Sequence, residues 1–260
     1  MPPITGRFLS ICLLAAPLLA QTQIGGGICS TASVSGNYSL TLSGRDVSAA
    51  LAFSKALQGI GTATFDGLSK VSFTFTDNTN AALGVAQTLS GTYSMQSNCV
   101  GTLSITTGDT ASFSLSSYNQ GKSFLLTGQD GVYSFTGSGS ILPTSYTAAL
   151  LSGVYAFNGN GFALSSGAVA GVNAISGLLT FDGKSAVTGV WYVASNGTSA
   201  TVTTNGQYTV AAGCTATATI ATTLGAAYNL AFTITATNGS NFIVGGANNQ
   251  LMFSGSGRTL

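Results

Sequence analysis

One pattern of turn and strand residues occurs twice along this chain, in the same order each time. The first tyrosines of the two copies, Tyr38 and Tyr155, each follow a glycine by two positions and lie 117 residues apart. Asp66 and Asp182 both stand in a Thr-Phe-Asp-Gly segment and lie 116 residues apart. The later matched pairs are Tyr93 with Tyr208, Cys99 with Cys214, and Phe135 with Phe253. A repeat of this length, shifted by only a few residues, predicts two homologous domains in tandem.

The repeat and the Gly- and Pro-containing stretches around it predict how the chain is divided. After a processing segment, residues 21–33 form a Gly-rich lead. Domain one covers 34–141 and domain two covers 150–260, with 142–149 as the linker between them. Both domains have the usual size of an independently folded unit.

The N-terminus has the pattern of a secretory signal peptide. Arg7 precedes the apolar run 8–20, and the polar residue Gln21 follows it. Such a run is long enough for a signal peptide and too short to span a bilayer. We therefore expect cleavage after residues 1–20, a secreted or extracytoplasmic location, and no transmembrane segment in the mature chain.

Apolar and hydroxyl-bearing residues alternate with a period of two over much of both domains. In domain one Val71, Phe73 and Phe75 alternate with Ser and Thr, as Leu230, Phe232 and Ile234 do with Ala and Thr in domain two. This period puts apolar side chains on one face of a strand and polar side chains on the other. Each domain offers seven or eight such short runs.

Tight turns join these runs and indicate how the strands pair. Asp66-Gly67 and Asp182-Gly183 lie between alternating segments, which is a strong hairpin signal. Only residues 47–57 could form a helix, and the Gly-rich equivalent in domain two favours a strand with a bulge or a single helical turn. The sequence thus predicts an all-β protein with a small up-and-down antiparallel barrel in each domain, the alternative being a β-sandwich.

Three cysteines remain after signal cleavage, and an exported protein meets an oxidising compartment. Cys99 and Cys214 are repeat equivalents, whereas Cys29 precedes the first repeat. We favour a disulfide between Cys29 and Cys99 inside domain one, with Cys214 left over. A Cys99–Cys214 bridge is the alternative, because spacing alone does not determine pairing.

The set of ionisable residues excludes most catalytic chemistries. The chain has no His and no Glu, which rules out His-dependent triads and His general bases. The repeated carboxylates, Asp66 and Asp182, are turn residues in different domains, so a glycosidase-like pair of Asp is the least favoured hypothesis. Asp46 beside Arg45 is interpreted as a surface ion pair. We therefore predict no catalytic residues and no enzyme activity.

Metal, cofactor and nucleic-acid sites are not indicated either. The cysteines lack metal-ligand spacing, and the segment 77–80, with Asp77, lacks the closing Glu of a known calcium loop. No phosphate-binding P-loop is present. Without Arg7 the chain has six Lys or Arg and six Asp, so no basic surface for nucleic acid is expected. We predict no metal and no cofactor.

The order of the motifs resembles a loosely defined group of exported, Gly/Ser/Thr-rich β-repeat proteins of environmental bacteria. The shared pattern is Gly-x-Tyr, then Thr-Phe-Asp-Gly, then Gly-x-Tyr followed by Cys-x-Gly-Thr, as around Tyr38, Asp66, Tyr93 and Cys99. The resemblance covers most of both domains, although the second copy departs from it after Cys214. It implies export and a repeated β fold, and it implies no activity or ligand.

Two hypotheses about function follow. The first is an exported, non-catalytic protein with a structural or adhesive role at or outside the cell envelope, with a cell-surface partner. The alternative is a binding or carrier protein for a small apolar ligand inside a barrel. Trp191 is expected in the core with Tyr192 exposed, because strand neighbours face opposite sides. An apolar cavity of several hundred Å³ would favour the carrier, and a filled interior would favour the structural role.

Overall fold

The computed structural model describes most of the two predicted domains. The described residues are 28–47, 55–79, 84–144, 151–166, 168–211, 213–223, 225 and 227–260. Several predicted features lie outside them: the signal peptide at 1–20, the first part of the lead at 21–27, most of the candidate helix at 48–54, and residues 145–149 of the linker.

Domain one is a closed barrel of eight antiparallel strands. Each strand pairs with the next along the chain, and the last pairs with the first, which closes the sheet. The strands are β1 (Ser35–Asp46), β2 (Ala56–Asp66), β3 (Lys70–Thr79), β4 (Val85–Met95), β5 (Val100–Thr107), β6 (Ala111–Tyr118), β7 (Ser123–Gln129) and β8 (Tyr133–Ser140). The predicted up-and-down barrel is confirmed, and the sandwich alternative is wrong.

Domain two repeats this architecture strand for strand. Its sheet also closes, between the last strand and the first. The strands are β9 (Ser152–Ser165), β10 (Ala168–Asp182), β11 (Ala186–Ser195), β12 (Thr198–Ala211), β13 (Thr215–Thr222), β14 (Tyr228–Ile234), β15 (Asn241–Ala247) and β16 (Leu251–Thr259). The register of the pairs follows the sequence repeat: Gly59 pairs with Asp77 in the first barrel, and Ile175 pairs with Val193 in the second.

The alternating pattern places the core inside each barrel. Phe73 and Leu115 are buried in the first barrel, and Trp191 and Phe232 are buried in the second, while most neighbouring Ser and Thr side chains face outward. Tyr192 is half exposed, as predicted for a residue next to Trp191. The strands extend beyond the alternating runs because residues such as Gly and Asn continue them, as in β10.

One end of each barrel is closed by the segment that precedes its first strand. In the first barrel this segment contains a short 3-10 turn at Thr31–Ser33, and Cys29 forms a disulfide with Cys99. In the second barrel the Sγ atom of Cys214 lies 3.5 Å from the carbonyl oxygen of Pro143. The favoured pairing is therefore present, and the Cys99–Cys214 alternative is wrong.

Cys99 and Cys214 also share an uncommon backbone conformation. Their φ angles are 66° and 68°, in the left-handed region that most residues avoid. Each carbonyl accepts a hydrogen bond from the neighbouring strand, from the N–H groups of Ser117 and Ile234 respectively. The hairpin after Cys214 thus keeps the shape of its counterpart although its sequence departs from the shared pattern.

The two barrels pack against each other through the outer face of β2. Ile60 points outward from the first barrel yet is only 2% exposed, because β14, β15 and β16 cover it. The hydroxyl of Thr233 donates a hydrogen bond of 3.1 Å to the carbonyl of Gly61. The hydroxyl of Ser254 donates one of 2.6 Å to Oε1 of Gln58. This contact fixes one barrel beside the other.

Among the described residues, no helix has the length and apolar character needed to cross a membrane.

Candidate functional site

The capped end is the end of each barrel that carries the Asp66 or Asp182 turn, and it is filled in both barrels. In the first barrel Tyr38 donates a hydrogen bond of 2.6 Å to the carbonyl of Gly121, and its ring packs edge-on against Phe65. In the second, Tyr155 donates one of 2.9 Å to the carbonyl of Gly239 and packs the same way on Phe181. Burial raises the pKa of both phenols. These two tyrosines therefore fill the capped end of each barrel and have a structural role.

The repeated carboxylates act as turn residues at this end, as predicted. Oδ1 of Asp66 accepts the backbone N–H groups of residues 68, 69 and 70 at 2.8 to 2.9 Å. Oδ1 of Asp182 does the same for residues 184 to 186. The hydrogen bond from Lys70 is the largest of the contacts that hold the pKa of Asp66 below its usual value, and the bond from Lys184 does so for Asp182. Neither carboxylate is available as a catalytic acid at neutral pH.

The opposite end of the first barrel contains a cavity of about 130 Å³. Its walls are mainly apolar and come from residues that face inward along their strands, including Leu42, Leu57, Phe75, Phe113 and Phe135. Since side chains normally fill a barrel of this strand number, an open volume inside one is a candidate ligand site.

Three carboxyl groups line this cavity, those of Asp77, Asp109 and Asp130, and that of Asp77 is the buried one. Asp77 follows Phe73 and Phe75 in the inward-facing series of β3, so the strand period directs its side chain into the barrel. It is only 9% exposed, and its Oδ1 has no hydrogen-bond partner among the described residues. Burial raises the pKa of Asp77 to about 6, because removal from water penalises the ionised form.

Asp77 and three further aspartates, Asp46, Asp109 and Asp130, lie at the same end of the barrel, and we call these four residues the acidic mouth. Asp46 ends β1 and is paired across the sheet with Tyr133. Burial, followed by the charges of Asp77, Asp46 and Asp130, raises the pKa of the Tyr133 phenol. Four of the six aspartates in the chain are therefore gathered at one end of one barrel.

The other members of the acidic mouth have structural contacts of their own. Oδ1 of Asp130 accepts the backbone N–H groups of Val132 and Tyr133, and Oδ1 of Asp109 accepts that of Thr110. Asp46 is 6% exposed, while Arg45 points outward with its guanidinium carbon 5.0 Å from the centre of the Phe162 ring. Strand alternation directs the Asp46 side chain inward, so it is buried and does not lie at the surface as the sequence interpretation had it.

The equivalent end of the second barrel is packed with aromatic side chains. Trp191 stands where the first barrel has Phe75, and Tyr228 stands where it has Ala111. Trp191 is fully buried, with its ring 5.3 Å from Phe157 and 5.5 Å from Tyr228. The buried Nε1 of Trp191 also lacks a described partner, but it is uncharged.

The carboxylates of the acidic mouth are replaced in the second barrel as well. Register places Val193 at the position of Asp77 and Ala163 at that of Asp46. Asn248 takes the turn role of Asp130 and accepts the N–H groups of residues 250 and 251. The cavity and the negative charge are thus found together in one copy and are missing together from these positions of the other.

A second concave surface lies between the barrels. This cleft of about 850 Å³ is lined by amide and hydroxyl side chains, together with Arg45 and Tyr192. Asn173 at its base donates from Nδ2 to the carbonyls of Phe162 and Met252 at 3.1 and 3.3 Å. The described lining includes no carboxylate, so it has no pair of groups for acid–base chemistry.

The segment considered for calcium does not converge on one point. Asp77 faces into the barrel, whereas Oδ1 of Asn78 accepts a hydrogen bond from the backbone N–H of Gly84. Asn80 lies outside the described residues. Among the residues that the structure describes, no three His, Cys, Asp or Glu side chains are placed to hold a metal.

The sequence pointed to Asp77 only as part of the candidate calcium segment 77–80, so its place in the cavity was missed. The signal that could have found it is the period of β3, since Val71, Phe73 and Phe75 alternate and the next position in the series is Asp77. The sequence indicated less clearly that this end of the second barrel is filled, since the only sign was the single Trp191.

The sequence matches no protein-family model and no curated protein. Among solved structures, the chain is similar to a redesigned β-barrel, mFAP1, bound to DFHBI, with 15% identity, a TM-score of 0.34, and coverage of 44% of this chain and 99% of that one. It is also similar to a protein of unknown function from the DUF3598 family of Nostoc punctiforme PCC 73102, with 9% identity, a TM-score of 0.25, and coverage of 88% of this chain and 97% of that one.

Proposed function

We propose that this chain is an exported, non-catalytic binding protein whose first barrel receives one small apolar group. The observation that carries the proposal is the cavity of about 130 Å³ in the first barrel, at the place where Trp191 and Tyr228 fill the second. The two barrels have the same register, so large side chains at equivalent positions could fill this end in either of them. An unfilled apolar volume costs stability, so its presence in one copy favours a role for it.

The size of the cavity limits the ligand. It is smaller than the several hundred Å³ expected for a carrier of larger molecules. An engineered cavity of about 150 Å³ with similar apolar walls holds benzene. The group that enters the first barrel is therefore about the size of a six-membered ring or a short branched chain, either as a free molecule or as part of a larger one.

Binding is favoured over catalysis by the side chains that line the cavity. The described lining contains no His, Lys or Cys, and Asp77 is the buried carboxyl within it. Asp109 and Asp130 also line the cavity, but Oδ1 of each accepts backbone N–H groups, and the described lining offers no His, Lys or Cys for general-base or nucleophilic catalysis.

The proposal is tested by filling the first barrel with the residues of the second. Toluene is titrated into the full chain and followed by ligand-observed NMR. We expect saturable binding at millimolar or lower concentration, and loss of binding in a variant that combines Phe75→Trp with Ala111→Tyr. Val190→Trp, which adds an indole on the outer face of the second barrel, should bind toluene as the parent chain does.

Thermal unfolding shows whether the filled variant keeps its fold, and Phe75→Trp alone replaces it if the double variant does not fold. Absence of toluene binding to the parent chain would refute the proposal. Equal binding to the parent and a folded filled variant would refute it as well.

A structural or adhesive role is the second candidate. It is favoured by the packed interior of the second barrel and by a surface covered with Ser and Thr hydroxyls, in a chain with only 5% charged residues. Under this candidate the filled variant would adhere to cell-envelope material as well as the parent chain does, because the outer faces of the barrels are unchanged.

Export is part of the proposal. It is supported by the signal-peptide pattern at 1–20 and by the Cys29–Cys99 disulfide, since disulfides persist mainly in oxidising compartments. The resemblance to exported β-repeat proteins agrees with it. N-terminal sequencing of extracytoplasmic protein should find a chain that starts near Gln21, and an intact N-terminus would count against export.

A further inference from the structure

We propose that the ligand of the first barrel is an organic cation, namely a protonated amine on a small apolar body, with its ammonium group on Asp77. This inference depends on the proposed binding function and narrows it to one class of ligand. It is argued from the buried carboxyl, from the charges around it, and from the comparison with the second barrel.

Asp77 is a buried carboxyl whose Oδ1 lacks a hydrogen-bond partner among the described residues. A neutral apolar ligand would cover the cavity and leave Oδ1 of Asp77 without a hydrogen-bond partner among the described residues. Burying an unpaired polar group is costly, and more so when the group is charged. An ammonium group carries three donors and a positive charge, so it satisfies the oxygen and offsets the cost of ionisation.

The charges of the acidic mouth also favour a cation. Asp46, Asp109 and Asp130 lie at this end together with Tyr133, and Lys55 lies beside Asp46, whose backbone N–H donates to the Lys55 carbonyl. No Lys or Arg is among the described residues that line the cavity. Lys55, just before β2, is exposed, and Arg45 points toward Phe162 of the other barrel. Carboxylates around an apolar cleft attract cations and repel anions.

The duplication links these carboxylates to the cavity, because the second barrel has other residues at their positions. The second barrel has Val193, Ala163 and Asn248 where the first has Asp77, Asp46 and Asp130. The barrel in which Trp191 and Tyr228 fill this end also lacks these carboxylates. If the acidic residues served folding alone, the same frame in the second barrel would need them as well. Their association with the cavity connects them to its occupant.

The test compares ligands of nearly equal size and different charge. Benzylamine, benzyl alcohol and benzoate are titrated into the full chain by calorimetry at pH 7.5 and low salt. A hydrogen bond to a charged group predicts that benzylamine binds at least about 10-fold more tightly than benzyl alcohol. Benzoate should show no binding.

Variants at one position then isolate the carboxylate. Asp77→Asn should reduce the affinity for benzylamine about 10-fold or more, and leave the affinity for benzyl alcohol within about 3-fold. Asp77→Val, which introduces the residue of the second barrel, should do the same. Asp66→Asn removes one carboxylate from the far end of the same barrel, and this control should bind benzylamine as the parent chain does.

The possible outcomes separate this inference from the proposed function. Equal affinity for benzylamine and benzyl alcohol, or an amine preference that survives Asp77→Asn, would overturn the cation assignment and leave the binding function standing. Benzylamine binding that persists in the folded Phe75→Trp, Ala111→Tyr variant would place the amine on the surface and overturn it too. Absence of binding by all three ligands and by toluene would refute both.

Discussion

At the capped end, the first and second barrels use equivalent residues in equivalent contacts. Tyr38 and Tyr155 donate to backbone carbonyls, and Asp66 and Asp182 each hold the three N–H groups of a turn. At the other end the barrels differ, with an acidic cavity in one and a Trp191 core in the other. The contacts that hold the capped end together are therefore the same in both barrels. The side chains at the opposite end differ between them.

This difference helps to assign roles within a duplicated protein. A buried carboxyl without a partner lowers stability, and a valine at the same place in the sister barrel shows that the frame accepts an apolar residue there. Side chains that break the local rules of packing are expected at functional sites. We therefore expect the two barrels to differ in stability as well as in structure.

The largest expected effect concerns the covalent link that only the first barrel has. Replacing Cys29 and Cys99 together by Ser opens a loop of 70 residues, and this should lower the stability of the first barrel by about 4 kcal/mol. Trp191 is the only tryptophan, so its fluorescence reports the second barrel, while circular dichroism reports both. Urea unfolding should show an early transition by dichroism with a smaller shift in fluorescence.

Cys214→Ser is the matched control for this variant. Burial raises the pKa of the Cys214 thiol to about 11, so it is an unreactive core residue. Its replacement should change neither transition by more than about 1 kcal/mol. Coincident shifts of both signals in the disulfide variant would show that the barrels unfold as one unit.

The next effect is a gain of stability at the acidic mouth. The folded pKa of Asp77, about 6, lies above the ordinary value of 3.8 for this side chain. Its contribution to stability is therefore fully present below pH 3.8 and is lost as the pH rises through 6. At pH 8 Asp77→Asn removes the cost of a buried charge and should stabilise the first barrel by at most about 3 kcal/mol.

The size of this effect depends on pH, so measurements at two pH values are enough to check it. Unfolding by urea, followed by dichroism, should show the gain of Asp77→Asn at pH 8 and almost none at pH 3.5. Val193→Asn at the equivalent position of the second barrel should destabilise at both pH values, because it buries an amide in an apolar core. A gain for Asp77→Asn that is the same at both pH values would contradict the assigned pKa.

Much of the fold was predictable because it depends on local patterns. Alternation such as Val71, Phe73 and Phe75 predicts strands, and the turns at Asp66 and Asp182 predict hairpins between neighbours. A chain of hairpins with eight strands then has few ways to bury its inner face, and closure into a barrel is one of them. The position of Cys29 before the first repeat favoured the Cys29–Cys99 disulfide, but spacing alone left the Cys99–Cys214 pairing open.

The site was less predictable because it depends on differences between the copies in three dimensions. Phe75 and Ala111 line the cavity at the positions where Trp191 and Tyr228 pack together in the second barrel, and the sequence does not show which inward residues meet. Likewise, Gln58 and Ile60 look like ordinary outward residues of a strand. Their burial under β14 to β16 depends on how the barrels dock, which no local pattern encodes.

The smallest effect tests this docking by comparing one strand with its equivalent. Gln58 on β2 is buried under the second barrel and accepts a hydrogen bond from Ser254, whereas its equivalent on β10, Ala174, is exposed. Gln58→Ala introduces the residue of the second barrel and removes the acceptor, so it should cost about 1 kcal/mol. Because Ser254 belongs to the second barrel, the loss should be visible in the fluorescence transition of Trp191. Ser176→Ala, on the exposed face of β10, should change that transition by less than about 0.5 kcal/mol. If Gln58→Ala shifts the dichroism of the first barrel and leaves the fluorescence transition unchanged, the contact does not couple the barrels, and each is stable without support from the other.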